Sequence, residues 1–92
     1  MEKAFNDNED GGFQITFDNN CTISVVYHKY SYSDQGKTTA EVAAWNNKTG
    51  NWMIFQDGDW FVIQQSSDVM PRQTADEVAE LIYTLSKYPI EE

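Results

Sequence analysis

Hydrophobic and polar residues alternate in several short stretches of the first two thirds of the chain, which predicts β-strands. In the stretch 13–17, Phe13, Ile15 and Phe17 alternate with polar residues, as in a strand with one buried face. Residues 18–20 are Asp-Asn-Asn, which favours a turn, and alternation resumes over 21–28. We expect these two strands to form a hairpin.

Three further strands are predicted at 38–45, 52–56 and 60–64. The string Ala-Glu-Val-Ala-Ala within 38–45 also suits a helix by propensity, but its short length and turn-rich flanks favour a strand. Asp57-Gly58 lies between the last two apolar runs, and this dipeptide is a strong signal for a tight hairpin turn.

The C-terminal segment predicts an amphipathic helix. Thr74 is placed as the N-cap, and Glu77 stands three positions later, which is the capping-box pattern. Pro89 ends the helix. Four apolar residues follow the spacing i, i+3, i+4, i+7 and form the expected buried stripe: Val78, Leu81, Ile82 and Leu85.

This order of elements predicts an α+β fold, in which an antiparallel meander of about four to five strands is covered by one C-terminal amphipathic helix. Residues 1–12 are polar and acidic, and we expect them to form a mobile N-terminal arm. Residues 13–92 then form a single α+β domain.

A single helix covers only one face of such a sheet, so the other face should be polar. This second face is polar in the first strand, but the strands 52–56 and 60–64 carry large apolar residues on both faces. The pattern leaves open which set faces the core. The outer set is covered by loops or by the arm, forms a homodimer face, or is the site where a different protein docks.

Charge limits the choice of partner. Fifteen acidic and six basic residues give a net charge of −9, which disfavours direct contact with nucleic acid or an anionic membrane and favours basic protein surfaces. The alternative is that the acids only keep a small protein in solution. Because the N-terminus shows no signal-peptide pattern and no apolar run reaches about 20 residues, we expect a soluble, cytoplasmic protein.

Catalytic and metal-binding patterns are weak. Cys21 and His28 are the only residues of their kinds, and about 23 Å would separate them along one strand. Gly36-Lys37-Thr38 resembles the end of a P-loop, but Ser31 stands where that motif needs glycine. The two carboxylates in Asp57-Gly58-Asp59 are too few for a cation site. We therefore expect no enzyme, no cofactor and no metal.

Several stretches together resemble a family of small uncharacterised proteins encoded by bacteriophages. They are Gly-Phe-Gln-Ile-Thr-Phe at 12–17, Thr-Ile-Ser-Val at 22–25, Thr-Ala-Glu-Val-Ala-Ala-Trp at 39–45, the helix segment 74–82 and Tyr-Pro at 88–89. The resemblance implies a viral accessory protein that acts in the host cell. It implies no catalytic residue.

The favoured hypothesis is a non-catalytic binding protein, encoded by a phage, that inhibits a host protein by occluding a basic surface, as anti-defence or anti-CRISPR proteins do. The alternatives are a self-associating structural or assembly protein and an oligomer that sequesters a small molecule. Carboxylates would contact the basic surface, and aromatic residues would anchor the contact. The acidic candidates are Asp57, Asp59, Asp76 and Glu80, and the aromatic candidates are Tyr30, Tyr32, Trp45 and Trp60.

Overall fold

Among the residues that it describes, a computed structural model shows seven strands followed by one helix. It describes residues 11–27, 39–63 and 68–90, together with the backbone of 5–8. The elements are β1 (Phe5–Asn8), β2 (Gly12–Thr16), β3 (Cys21–Val26), β4 (Thr39–Asn46), β5 (Trp52–Gln56), β6 (Asp59–Ile63), β7 (Met70–Thr74) and α1 (Ala75–Ser86).

Strands β1 to β6 are neighbours in chain order, and every pair is antiparallel. The predicted α+β meander with a C-terminal helix is therefore confirmed. The five predicted strands correspond to β2–β6. Two strands were not predicted: β7, and β1, which pairs Phe5 with Ile15 and Asn8 with Gly12 inside the segment assigned to the arm. The mobility of that segment stays a prediction.

Strand β7 lies in a stretch for which the sequence predicts no strand, and it contains Pro71. Proline cannot donate to a sheet and is confined to edge strands or bulges. Both conditions hold here: β7 pairs only with β4 among the described strands, and its register shifts between Ala40 and Val42. Arg72, in the bulge, adopts a φ of 53°.

Strand β4 is the centre of the sheet. One of its edges pairs with β3 over residues 41–46. Its other edge is shared: Ala44 and Trp45 pair with β5, whereas the first half of the strand pairs with β7. The β5–β6 hairpin and β7 therefore occupy successive stretches of the same edge.

Helix α1 begins as predicted. The side chain of Thr74 accepts a hydrogen bond from the backbone N–H of Glu77 at 3.3 Å, and the carboxylate of Glu77 accepts the backbone N–H of Thr74 at 2.9 Å. This capping box satisfies two backbone donors at the start of the helix. In the expected stripe Leu81 and Leu85 are fully buried, whereas Val78 and Ile82 are half-buried.

The core lies between α1 and one face of the sheet. Met53 and Trp60 are buried in it, and Phe55 and Val62 pack against it. The face of β5 and β6 that carries these four residues is therefore the face that points towards the helix. The other buried apolar residues of the core are Cys21, Ile23, Val25, Ala40, Val42, Ala44, Met70, Leu81 and Leu85.

Asn19 fastens the end of the helix to the β2–β3 turn. Its side chain is 5% exposed, and its Nδ2 donates to the carbonyl oxygens of Leu85 at 2.8 Å and Tyr88 at 2.9 Å. Its Oδ1 accepts the backbone N–H of Cys21 at 3.0 Å. Leu85 lies in the last turn of the helix, where its carbonyl oxygen also accepts the backbone N–H of Tyr88 at 3.1 Å. One amide thus joins the end of the helix and the residue just beyond it to the β2–β3 turn.

Candidate functional site

The face of the sheet that points away from α1, here called the outer face, is continuous across five described strands. The registers align Thr16 with Thr22, Thr22 with Trp45, Trp45 with Trp52, and Trp52 with Ile63. Side chains in such a row stand on the same face and contact their cross-strand neighbours. The outer face is therefore a single surface.

This surface is polar on one side and apolar on the other. On β2 and β3 its residues are mainly Gln14, Thr16, Thr22 and Ser24. On β4–β6 they form what we call the outer apolar strip: Trp45, Trp52, Ile54, Phe61 and Ile63. Phe61 is 48% exposed, and the other four are half-buried. The expected apolar second face of the last two predicted strands is present.

Trp45 is held in a fixed orientation within the strip. Its ring centroid lies 5.4 Å from that of Trp52, with the planes tilted by 37°. Its Nε1 donates to Oδ1 of Asn47 at 3.0 Å, and Nδ2 of Asn47 donates to Oγ1 of Thr22 at 2.6 Å and to the carbonyl oxygen of Asn20 at 3.0 Å. A side chain ordered in advance loses little entropy on binding, so Trp45 suits its predicted role as an anchor.

Trp60 lies on the opposite face. It is only 8% exposed, its ring centroid lies 5.3 Å from that of Phe55, and its Nε1 donates to Oγ1 of Thr84 in the helix at 2.9 Å. A ring already packed between sheet and helix has little surface left for a partner. We therefore remove Trp60 from the set of candidate anchors and assign it to the core.

The strip residues on β5 and β6 are not among the predicted contact residues, because these strands carry apolar residues on both faces. One signal was available. Asp59, two positions before Phe61, lies on the same face of the strand as Phe61 and Ile63. A carboxylate on that face indicates that the face is exposed to solvent.

Asp57 and Asp59 belong to the exposed β5–β6 turn. Asp57 has a φ of 52° and Gly58 a φ of 86°, and positive values at both central residues define the type I′ turn expected of Asp-Gly. Asp59 pairs with Gln56 and stands on the outer face, two residues from Phe61. A carboxylate therefore borders the apolar strip.

Asp76 and Glu80 are exposed on the first two turns of α1. The helix begins beside Thr39, at the start of β4, and the β5–β6 turn lies towards that same end of the strands. We call these four residues (Asp57, Asp59, Asp76 and Glu80) the acidic end. Lys48, in the β4–β5 turn, and Lys87, at the helix C-cap, lie towards the opposite end, while Arg72 lies on β7.

Tyr30 and Tyr32 lie outside the described residues, as does His28. Within the described ranges, no group of three His, Cys, Asp or Glu residues could hold a metal ion, and no helix there is both long and apolar enough to cross a membrane. Cys21 is fully buried, with its Sγ 4.0 Å from Sδ of Met53.

Comparison of the chain with protein-family models, curated proteins and solved structures found no match.

Proposed function

We propose that this protein is a non-catalytic binding protein that occludes a basic surface on another protein. The observation that carries the proposal is the outer apolar strip, which is bordered by a carboxylate. At the described outer positions of β2–β6 there is no Lys or Arg, whereas Glu41 and Asp59 both occupy such positions. An apolar surface beside acids fits a partner whose contact has an apolar centre and a basic rim.

The size of the strip also favours a partner with a charged rim. Three strands of five residues cover roughly 14 Å by 16 Å, or about 220 Å² in projection. A standard interface buries about 800 Å² on each partner. A partner must therefore contact more than the strip, and the surface next to the strip includes Asp57 and Asp59 of the acidic end.

Two copies of this chain are less suited to meet face to face, because each carries a net charge of −9. Juxtaposed like charges oppose association, whereas a basic partner is attracted towards the same surface. We therefore assign the strip to a different protein. From the resemblance to phage proteins we propose that this partner is a host protein, which the chain would inhibit by occluding its basic surface.

The test is affinity capture from bacterial lysate with the wild-type protein and matched variants, at low and high salt. Ile54→Ser removes apolar surface from the strip, and Gln14→Ser is its control on the polar side of the same face. Asp57→Asn with Asp59→Asn neutralises part of the acidic end, and Asp18→Asn is its control in an exposed turn.

The proposal requires one stoichiometric partner that is lost with Ile54→Ser, weakened by the double Asn variant and by salt, and retained by both controls. It is refuted by a partner that the strip variant still retains, or by binding that responds to neither salt nor the charge change. Melting curves of each variant distinguish a loss of partner binding from a loss of folding.

A further inference from the structure

The edges of the sheet are protected to different degrees. A free edge strand presents unpaired N–H and C=O groups to any other strand, and natural proteins blunt such edges with proline, bulges or charge. β7 contains Pro71 and the bulge at Arg72. β1 has the sequence Phe-Asn-Asp-Asn, in which three of four residues have low β-propensity.

Strand β6 lacks these devices along most of its length. Its sequence is Asp-Trp-Phe-Val-Ile, which consists of strong strand formers after the first residue. Among the described strands it pairs only with β5. Its central residue, Phe61, is 48% exposed. Only Asp59, at one end, opposes pairing with another strand.

We propose that the free edge of β6 pairs antiparallel with the same edge of a second copy, which joins the two sheets into one. This inference concerns the protein alone and does not rest on the proposed function. Self-pairing about Phe61 gives a symmetric register, in which Phe61 faces Phe61 of the second copy, Trp60 faces Val62, and Asp59 faces Ile63. The three central residues of the strand then have apolar groups opposite them, and only Ile63 faces a carboxylate, that of Asp59.

The net charge of −9 opposes self-association in either geometry, but pairing through the edge keeps the carboxylates of β6 apart. In the symmetric register the two copies of Asp59 lie at opposite ends of the paired strands, about 13 Å apart. That separation exceeds the Debye length of about 8 Å at physiological salt. The strands can therefore meet without placing like charges opposite each other, and the exposed ring of Phe61 gains an aromatic neighbour on the outer face.

The pairing has two consequences for the surface. The two outer apolar strips become adjacent, which widens the apolar surface from three strands to six. Because a five-residue edge is short, about 16 Å, and buries less than a standard interface, we expect a dimer that dissociates in the micromolar range.

The test is sedimentation velocity of the purified protein across a concentration series that spans this range. We expect a monomer–dimer equilibrium for the wild type. Phe61→Lys places a charge in the centre of the edge and should leave only monomer. Because this change also lowers the net negative charge, a loss of the dimer cannot be attributed to general repulsion.

Ile54→Lys distinguishes edge pairing from face-to-face pairing, since Ile54 is the cross-strand neighbour of Phe61 on β5, away from the edge. The dimer should survive this change. Phe61→Cys should form an intermolecular disulfide under mild oxidation, because the two copies of residue 61 face each other, at about 5 Å between Cα atoms. Ile63→Cys should not, because residue 63 faces residue 59.

Three results would overturn the inference: a monomer at every concentration, a dimer that survives Phe61→Lys, or a dimer lost with Ile54→Lys. The first result, combined with capture of a lysate protein that depends on Phe61, would assign the edge to a partner instead of a second copy. Sedimentation uses the purified protein alone, so its failure is distinct from a failure to find a partner.

Discussion

Asn19 offers the sharpest test of how this fold is held together. Truncation to alanine removes three hydrogen bonds, two to carbonyl oxygens near the helix C-terminus and one from the backbone N–H of Cys21. At about 1 kcal/mol net for each bond, the free energy of unfolding should fall by about 3 kcal/mol. A 92-residue domain has about 5–14 kcal/mol in total, so the loss is a large fraction.

The measurement is urea unfolding followed by tryptophan fluorescence, in which buried Trp60 reports on the core. The midpoint should fall with an unchanged slope, and the melting temperature should fall by about 12–24 °C. Asp18→Ala, at an exposed position in the same turn, is the control and should change stability by less than about 0.5 kcal/mol. A loss below about 1 kcal/mol for Asn19→Ala would refute the reasoning.

The variant Asn19→Asp tests the direction in which stability changes with pH. The carboxylate would face two carbonyl oxygens at the negative end of the helix dipole, which disfavours the charged form and raises the pKa of this carboxyl in the folded state above its unfolded value of about 3.9. Relative to wild type, the variant should therefore be least destabilised below pH about 3.9 and lose stability as pH rises through the folded pKa. A difference that is constant with pH, or that grows as pH falls, would contradict this account.

Three further predictions use the same unfolding assay. In Gly12→Ala the new Cβ would lie 2.5 Å from the carbonyl oxygen of Val25. Because β2 and β3 must move apart, the free energy of unfolding should fall by about 1–3 kcal/mol. An unchanged urea midpoint would contradict that contact. Trp60→Phe removes the hydrogen bond to Thr84 and should cost about 1 kcal/mol beyond the packing lost, a cost that should vanish if Thr84 is already valine. Thr74→Ala removes the hydrogen bond that the Thr74 side chain accepts from the backbone N–H of Glu77 and should lower the free energy of unfolding by about 1 kcal/mol. Amide exchange in the first helical turn should become faster, and unchanged exchange there would argue against the cap.

The local pattern of apolar and polar residues was sufficient to predict β2–β6 and α1, because each has a buried face and is bounded by residues that favour turns or caps. It was insufficient for β7. The sequence of β7, Met-Pro-Arg-Gln-Thr, has no strand-like alternation, and its pairing is supplied by β4, about thirty residues earlier in the chain. Strand formation there depends on a non-local partner that no window of sequence contains.

The candidate site was predictable in composition but not in orientation. Apolar residues on both faces of β5 and β6 were visible, yet the sequence could not tell which face the helix would cover. Trp60 was therefore named as a candidate anchor, although it packs in the core. Asn19 shows the same limit. Its place in a turn was evident from neighbouring residues, but its bond to Leu85 joins residues 66 positions apart.

The shared edge of β4 has a consequence for how the molecule opens. The β5–β6 hairpin is joined to β4 through two paired positions, Ala44 with Met53 and Trp45 with Trp52, whereas β7 and the helix join a separate stretch. Detachment of the hairpin breaks only these two paired positions of the sheet, but it also uncovers core residue Met53 and breaks the hydrogen bond from Trp60 to Thr84. Because this opening leaves the rest of the sheet paired, we expect the backbone amides of the hairpin to exchange with solvent by a route of lower free energy than global unfolding. The strands that carry most of the outer apolar strip are thus joined to β4 by fewer paired positions than either β3 or β7.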